Sequence, residues 1–180
     1  MSIKERLLRI VIKIIKHLLY VCGQERRNMI AISIIEEIMP HAEVDTKYGK
    51  LKLLSPGKLL EWRARTFFTK EPETLNWIDS FDKNDVLWDV GANVGTYSLY
   101  AGLRSIKVLS FEPSASNYYI LCKNIEINRL DDNVFGLCVA FNDVTKIDSF
   151  YMGSTEYGGA LNNFSEPVGW DGNKFTKSVK

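Results

Sequence analysis

The chain has 180 residues, enough for one domain with a hydrophobic core, and 46% of them are hydrophobic. Lysine and arginine total 23 against 22 aspartate and glutamate residues, so the formal net charge is +1. This composition is typical of a globular protein, and the charge balance argues against a nucleic-acid partner, because general nucleic-acid binders are plainly basic.

The cysteines and histidines do not form a recognisable metal site. Cys22, Cys122 and Cys138 contain no C-x-x-C pair, and their spacing to His17 and His41 is unlike that of zinc ligands. We therefore expect free thiols, no bound metal and a reducing, cytoplasmic environment.

The first 20 residues, MSIKERLLRIVIKIIKHLLY, predict a basic amphipathic helix. Positive charges interrupt the apolar run, so it is neither a signal peptide nor a membrane span. Two interpretations stay open: the helix packs against the protein's own core or a partner, or it lies on an anionic membrane surface as a peripheral contact. The pattern favours packing. The two sides of the helix consist of the basic residues Arg6, Arg9, Lys13, Lys16 and His17, and the aliphatic residues Leu7, Leu8, Val11, Ile14, Ile15, Leu18 and Leu19.

The next segment mixes helical and extended patterns. A helix is predicted over residues 25–39, where isoleucines recur at helical spacing, and an extended pair over 41–54, which Ser55-Pro56-Gly57 ends. Two helices follow, in LLEWRARTFF and over 72–81. We divide the chain into residues 1–55, with the amino-terminal helices and the short extended pair, and an α/β domain over 56–180.

From Val86 onward, predicted strands and helices alternate. This order specifies a Rossmann-like parallel sheet with helices on its faces, because parallel neighbours need crossover connections. After Met152 no sustained period remains, and a loop is predicted. The predicted elements are strands at 86–90, 106–112, 134–140 and, more weakly, 147–152, with helices at about 95–104 and 115–129.

The loop in VLWDVGANVGTYSLY lies where the first of these strands meets its helix. Glycine permits positive φ and close approach of a ligand, and Asn93 tolerates the left-handed region. Glu112 follows Gly95 at the end of the next strand, where a carboxylate can accept both hydroxyls of a ribose. The alternative is that Glu112 is a helix-start acid before Pro113.

The glycine spacing selects among nucleotide cofactors. The dinucleotide fingerprint G-x-G-x-x-G keeps its middle glycine so that a pyrophosphate can approach the backbone. Asn93 occupies that place here, in a D-x-G-x-x-x-G run. A cofactor with an adenosine and no pyrophosphate fits better, which favours S-adenosylmethionine over NAD and makes a nicotinamide-dependent oxidoreductase the less favoured alternative.

WDVGANVGTYSLYA, FEPSASNYYILCKNIEIN and VAFND resemble the amino-terminal half of an FkbM-type S-adenosylmethionine-dependent methyltransferase domain of class I. The resemblance covers about residues 56 to 150. It implies a class I methyltransferase fold and O-methylation of a hydroxyl on a sugar, glycan or other small molecule. It assigns no catalytic residue.

The same resemblance implies roles for individual residues. Asp89 would orient the methionine end of the cofactor, the glycine loop would surround that end, and Glu112 would hold the ribose hydroxyls. Two residues after the third strand would border the adenine. Asn124 and Asn128 would fix local structure, and Tyr97 would line the pocket or belong to the core. The implied cofactor-binding residues are Asp89, Gly91, Asn93, Gly95, Glu112, Ala140 and Asn142.

The family's later strand of the type K-I-D-V-E-G would fall where this chain reads GWDGNKFTKSVK. The sheet is therefore expected to be incomplete at its carboxyl end and to expose the apolar strand 86–90. Residues 147–152, residues 41–54 or another chain would cover that edge, in an oligomer or with a missing carboxyl-terminal half. The alternative function is a non-catalytic truncated remnant or interaction module.

Overall fold

The computed structural model describes residues 2–179, and the chain divides into two compact units between Met39 and Pro40. The sequence-based division at residue 55 differs, because it grouped the extended pair 41–54 with the preceding helices. In the structure, Leu51 and Leu53 of this pair are buried in the core of the second unit. Burial of these two leucines places the pair with the later residues.

The first unit contains the helices α1 (Ile3–Val21) and α2 (Gln24–Glu37). Ser2 starts α1 with a capping box: its hydroxyl accepts from the Glu5 N–H at 3.2 Å, and its own N–H donates to Glu5 Oε2 at 2.8 Å. Neither helix contains a buried residue. Packing of residues 1–20 against a core or a partner stays a prediction.

The second unit contains a hairpin, a parallel sheet with its helices, and a small antiparallel sheet. The strand orders are β1-β2, β3-β4-β5 and β7-β6-β8. The elements are β1 (His41–Thr46), β2 (Gly49–Leu54), α3 (Lys58–Arg65), α4 (Pro72–Asp79), β3 (Val86–Val90), α5 (Thr96–Leu103), β4 (Lys107–Phe111), α6 (Ala115–Asn128), β5 (Val134–Leu137), β6 (Phe150–Met152), β7 (Asn163–Phe164) and β8 (Lys177–Val179).

The sheet β3-β4-β5 is parallel, with helical crossovers, so the α/β Rossmann-like prediction is confirmed. Its core forms where apolar side chains of β4 meet those of α5 and α6; Val108, Leu99 and Leu121 are all fully buried. The pairings Val90 with Phe111 and Phe111 with Leu137 align the carboxyl ends of the three strands. The loops that follow these strands therefore meet at one edge.

Two asparagines of α6 attach the hairpin to this sheet layer. Asn124 Oδ1 accepts from the Leu54 N–H at 2.7 Å, and its amide donates to Val94 O at 2.8 Å. Asn128 accepts from the Lys52 N–H at 2.8 Å and donates to Lys52 O at 2.7 Å. The prediction that both asparagines fix local structure is confirmed.

The β3 edge of the parallel sheet is open, because within residues 2–179 β3 pairs only with β4. Val86, Trp88 and Val90 share one face of this strand and are 52%, 60% and 59% exposed, so that face is uncovered as well. The two segments expected to cover this edge do not, because 41–54 forms its own hairpin and β6 belongs to the antiparallel sheet. Cover from another chain stays a prediction.

The carboxyl-terminal region differs from the predicted loop. Strands β7 and β8 both pair with β6, and the predicted strand 134–140 ends at Leu137. Strands of two or three residues are too short to show an alternating pattern, so the sequence offered no periodic signal for them.

Candidate functional site

Three residues of the loop after β3 have positive φ, as its glycine and asparagine residues predict. Gly91, Asn93 and Gly95 have φ values of 81°, 54° and 86°. The N–H groups of Gly91 and Ala92 donate to Phe111 O at 2.8 and 3.0 Å, which ties the loop to the end of β4. The expected use of glycine and asparagine at left-handed positions is confirmed.

The two glycines of this loop have different surroundings. A Cβ atom on Gly91 would meet no atom within 4 Å. A Cβ atom on Gly95 would overlap the Leu121 side chain, which is fully buried in the core. Gly95 therefore permits close packing of α5 on α6, whereas Gly91 leaves open space at the carboxyl edge of the sheet.

Asp89, at the end of β3, is held by the start of α5. Its Oδ2 accepts from Ser98 Oγ at 2.5 Å, and Ser98 Oγ accepts in turn from Ser110 Oγ at 2.7 Å. Burial raises the pKa of the Asp89 carboxyl above its usual value, while the hydrogen bonds from Ser98 act in the opposite direction. This arrangement fixes the orientation of the carboxylate.

Glu112, at the end of β4, is 5% exposed. Its Oε2 accepts from the Asn93 N–H at 2.7 Å and its Oε1 from the Ser114 N–H at 2.9 Å. Burial raises the pKa of Glu112, and the two backbone hydrogen bonds partly oppose that rise. An ionised carboxylate has about four lone-pair sites, so acceptor capacity remains beyond these two bonds.

A segment far along the chain, the strap of residues 157–162, lies over this loop. Asn93 Nδ2 and Asn117 Nδ2 both donate to Gly159 O at 2.8 Å, and Asn117 Oδ1 accepts from the Gly158 N–H at 2.8 Å. Neither this role of Asn117 nor that of the strap was predicted from the sequence. The Gly-Gly pair in the strap is the one local signal of a special backbone there.

Two adjoining cavities open at this edge, with volumes of about 150 Å³ and about 350 Å³. Gly91, Pro113, Phe150 and Asn162 line both of them. The smaller cavity is also lined by Asn93, Glu112, Gly159, Ala160 and Leu161. The larger is also lined by Val90, Phe111, Val139, Ala140, Phe141, Asn142, Asn163 and Phe164.

Part of the wall of the larger cavity is aromatic, with the phenylalanines Phe111, Phe141, Phe150 and Phe164 among its lining residues. The ring centroids of Phe111 and Phe141 lie 4.6 Å apart, and the Trp88 ring stacks on Phe141 with planes 2° apart. Ala140 and Asn142, the two residues expected near an adenine, line this cavity. Such a wall suits a flat, largely apolar ring.

Asn93 carries an unsatisfied acceptor beside these cavities. Its Oδ1 is buried and accepts no hydrogen bond from any residue in the range 2–179. Buried polar atoms in folded proteins are nearly always paired, so an unpaired one in a cavity wall indicates a place for a donor. A ligand hydroxyl or ammonium group would supply it.

Tyr97 faces away from the two cavities. Its hydroxyl donates to Glu71 Oε2 at 2.8 Å, and it lines a separate space of about 20 Å³ with Arg63. Burial and the Glu71 carboxylate both raise the pKa of Tyr97. Arg63 donates from Nε and Nη2 to Gly158 O at 3.2 and 2.6 Å, so α3 also holds the strap. Sequence reasoning missed Arg63, because no local pattern connects α3 to the strap.

Comparison with known proteins gives one partial sequence relative. No family model matches the chain. Over 63 residues, 35% of the chain, it is 30% identical to the hexuronic acid methyltransferase AglP of Haloferax volcanii. The match spans 26% of the length of that relative.

Solved structures that resemble the chain do so over part of their length. A SAM-dependent methyltransferase from Agrobacterium tumefaciens is 11% identical, with a TM-score of 0.42 over 54% of this chain and 32% of that one. The TYW2 protein of Pyrococcus horikoshii, solved in complex with MeSAdo, is 14% identical, with a TM-score of 0.37 over 73% and 64% of the two chains.

Proposed function

We propose that the chain binds S-adenosylmethionine and acts in an FkbM-type O-methyltransferase. The observation that carries this proposal is the pair of adjoining cavities at the carboxyl edge of the parallel sheet, one beside the Glu112 carboxylate and one lined in part by phenylalanine rings. Ligands of open α/β sheets bind at this edge, next to the loop that follows the first strand.

In this proposal the two cavities hold different parts of the cofactor. Phe111 and Phe141 would pack on the adenine in the larger cavity, with Ala140 and Asn142 at its border. Glu112 would accept from the ribose hydroxyls with the lone pairs that its backbone hydrogen bonds leave free. The unpaired Oδ1 of Asn93 would accept from a hydroxyl or from the ammonium of the methionine end.

The position of Asn93 supports an adenosine cofactor without a pyrophosphate. Its side chain crosses to Gly159 of the strap through a hydrogen bond of 2.8 Å. Dinucleotide folds place a glycine here so that phosphates can reach the backbone. An asparagine whose amide is already committed to the strap would obstruct that approach.

When bound, S-adenosylmethionine supplies a methyl group on a sulfonium centre. The protein must hold an acceptor oxygen in line with the methyl carbon and assist loss of its proton. We assign no catalytic base among the described residues, because the two carboxylates at the site already accept hydrogen bonds. Asp89 accepts one from Ser98, and Glu112 accepts two from backbone N–H groups. The relative's name, a hexuronic acid methyltransferase, supports a sugar as the acceptor class; a hexuronic acid offers both hydroxyl and carboxylate oxygens, and the acceptor that we propose is a hydroxyl.

Calorimetric titration of the full 180-residue chain with S-adenosylmethionine, with NAD in a parallel titration, tests this proposal. We expect saturable binding of S-adenosylmethionine alone. Glu112→Gln should weaken binding at least about tenfold, since a hydrogen bond to a charged group contributes roughly 1.5 to 3 kcal/mol. Glu126→Gln, on the exposed side of α6, is the matched control and should bind as the parent does.

Two results would refute the proposal. One is the absence of S-adenosylmethionine binding by a chain whose cooperative unfolding shows that it is folded, which would favour a non-catalytic interaction module. The other is an unchanged affinity in folded Glu112→Gln, which would remove the ribose role and leave the carboxylate as a brace for the loop.

A further inference from the structure

The amphipathic helix α1 exposes its apolar side. Leu7, Leu8, Ile14 and Leu18 are 61%, 59%, 53% and 58% exposed, and no residue of the helix is buried. With 3.6 residues per turn, the apolar residues cover roughly 200° of the helix circumference. This sector is wider than the two-position seam with which a helix enters a coiled coil.

The remaining sector of α1 is strongly basic. The helix carries one acidic side chain, Glu5, at its first turn, where a carboxylate complements the helix dipole. The lysines and arginines of this sector are Arg6, Arg9, Lys13 and Lys16, whereas Lys4, in the first turn, lies on the apolar side. This charge is local, since the whole chain has a formal net charge of only +1.

The pattern does not describe a membrane-crossing segment. None of the helices described within residues 2–179 combines the length and the apolar character that a crossing requires. A helix with one broad apolar sector and one basic sector instead lies in the membrane plane, with the apolar side chains among acyl chains and the basic ones at the headgroups.

We infer that α1 is a docking surface for an anionic lipid membrane, which is independent of the proposed methyl transfer. The charge selects this occupant, because anionic headgroups would neutralise the basic side chains that border the apolar sector. Long side chains such as Lys13 and Lys16 can reach headgroups while their methylene stems cover the apolar boundary. Pairing two copies of α1 through their apolar sectors would instead leave the basic sectors without opposite charge.

Flotation of the full chain with lipid vesicles tests the inference. One set of vesicles contains phosphatidylcholine alone, and the other contains phosphatidylcholine and phosphatidylserine in a ratio of about 7 to 3. We expect binding to the anionic vesicles at least about tenfold stronger than to the neutral ones, and loss of most of that difference in high salt, because anionic headgroups attract the basic side chains and salt screens that attraction.

Variants separate the two sectors of the helix. Lys13→Glu with Lys16→Glu should lower binding to anionic vesicles at least about tenfold. Ile14→Ser with Leu18→Ser should lower binding to both kinds of vesicle, because it removes buried apolar area. Their circular dichroism should match the parent chain, which shows that the helix persists.

The matched control is Lys83→Glu with Lys174→Glu, the same charge change at two exposed lysines outside α1. It should float as the parent chain does. If this control loses binding as strongly as the α1 charge variant, the overall charge of the protein explains vesicle binding, and the inference that α1 is the docking surface is overturned.

Two results with a folded chain would overturn the inference. One is equal flotation with neutral and anionic vesicles, and the other is no flotation with either. A concentration-dependent dimer that Ile14→Ser with Leu18→Ser breaks, in a chain that does not float, would identify a second copy as the occupant instead.

Discussion

Substitution of Gly95 by alanine should destabilise the second unit through two separable effects. Gly95 has a φ of 86°, a conformation that costs an L-residue about 1 to 2 kcal/mol. Its new Cβ would also overlap the Leu121 side chain. Leu121 is fully buried and cannot turn aside into solvent, so overpacking should cost about 1 to 3 kcal/mol more.

Gly91→Ala is the matched control for the backbone effect. Gly91 has a φ of 81°, close to that of Gly95, but its new Cβ would meet no atom within 4 Å. This variant should lose only about 1 to 2 kcal/mol of unfolding free energy. The difference between the two variants measures the overlap with Leu121 alone.

Urea unfolding of the parent chain and both alanine variants gives the comparison. Similar slopes of free energy against urea would show that the change lies in stability and not in the compactness of the unfolded chain. Equal losses for Gly91→Ala and Gly95→Ala would refute the packing argument, because backbone strain would then explain both. A larger loss of unfolding free energy for Gly91→Ala than for Gly95→Ala would contradict the packing argument directly.

Other substitutions test the site and its supports. Phe141→Ala should weaken S-adenosylmethionine binding by about 1 kcal/mol in calorimetry, since it removes an aromatic contact, whereas Phe135→Ala, an exposed ring on β5 outside the cavity, should not. Asn124→Ala should lower the unfolding free energy by about 2 to 4 kcal/mol, because two backbone groups lose their hydrogen-bond partner. Asn128→Ala, at the half-buried end of α6, should lower it by less in the same urea experiment. Burial raises the pKa of Glu112 above its reference value of 4.5, so between 4.5 and the raised pKa the folded chain holds a proton that the unfolded chain has released. The stability of the parent relative to Glu112→Gln should therefore fall as pH rises through that window, and a relative stability that rises with pH in urea unfolding would contradict burial as the cause.

The sequence predicted the central part of the fold because local and global signals agree there. The strand Val86–Val90 is a nearly continuous apolar run that only Asp89 interrupts, as expected for a parallel strand, and a glycine-containing loop and a helix follow it. The left-handed conformations at Gly91 and Asn93 follow from residue type. The position of Glu112 at the edge of the next strand follows from the alternation of strands and helices.

The parts that were missed depend on contacts between distant residues. The strap reaches the site through Asn117 and Arg63, which lie far from it in sequence and show no pattern that would identify them as its partners. The burial of Leu51 was missed for the same reason, since a hairpin's short alternating pattern does not tell which layer will cover it.

The site also shows why a carboxylate identified from sequence can have two roles. Glu112 was expected either to bind a ribose or to start a helix, and the structure gives it backbone partners on both sides, at Asn93 and Ser114. These bonds hold the carboxylate in one orientation at the wall of the smaller cavity. A group that is fixed before the ligand arrives loses little conformational entropy on binding, so the structural role would strengthen the proposed ribose contact and not compete with it.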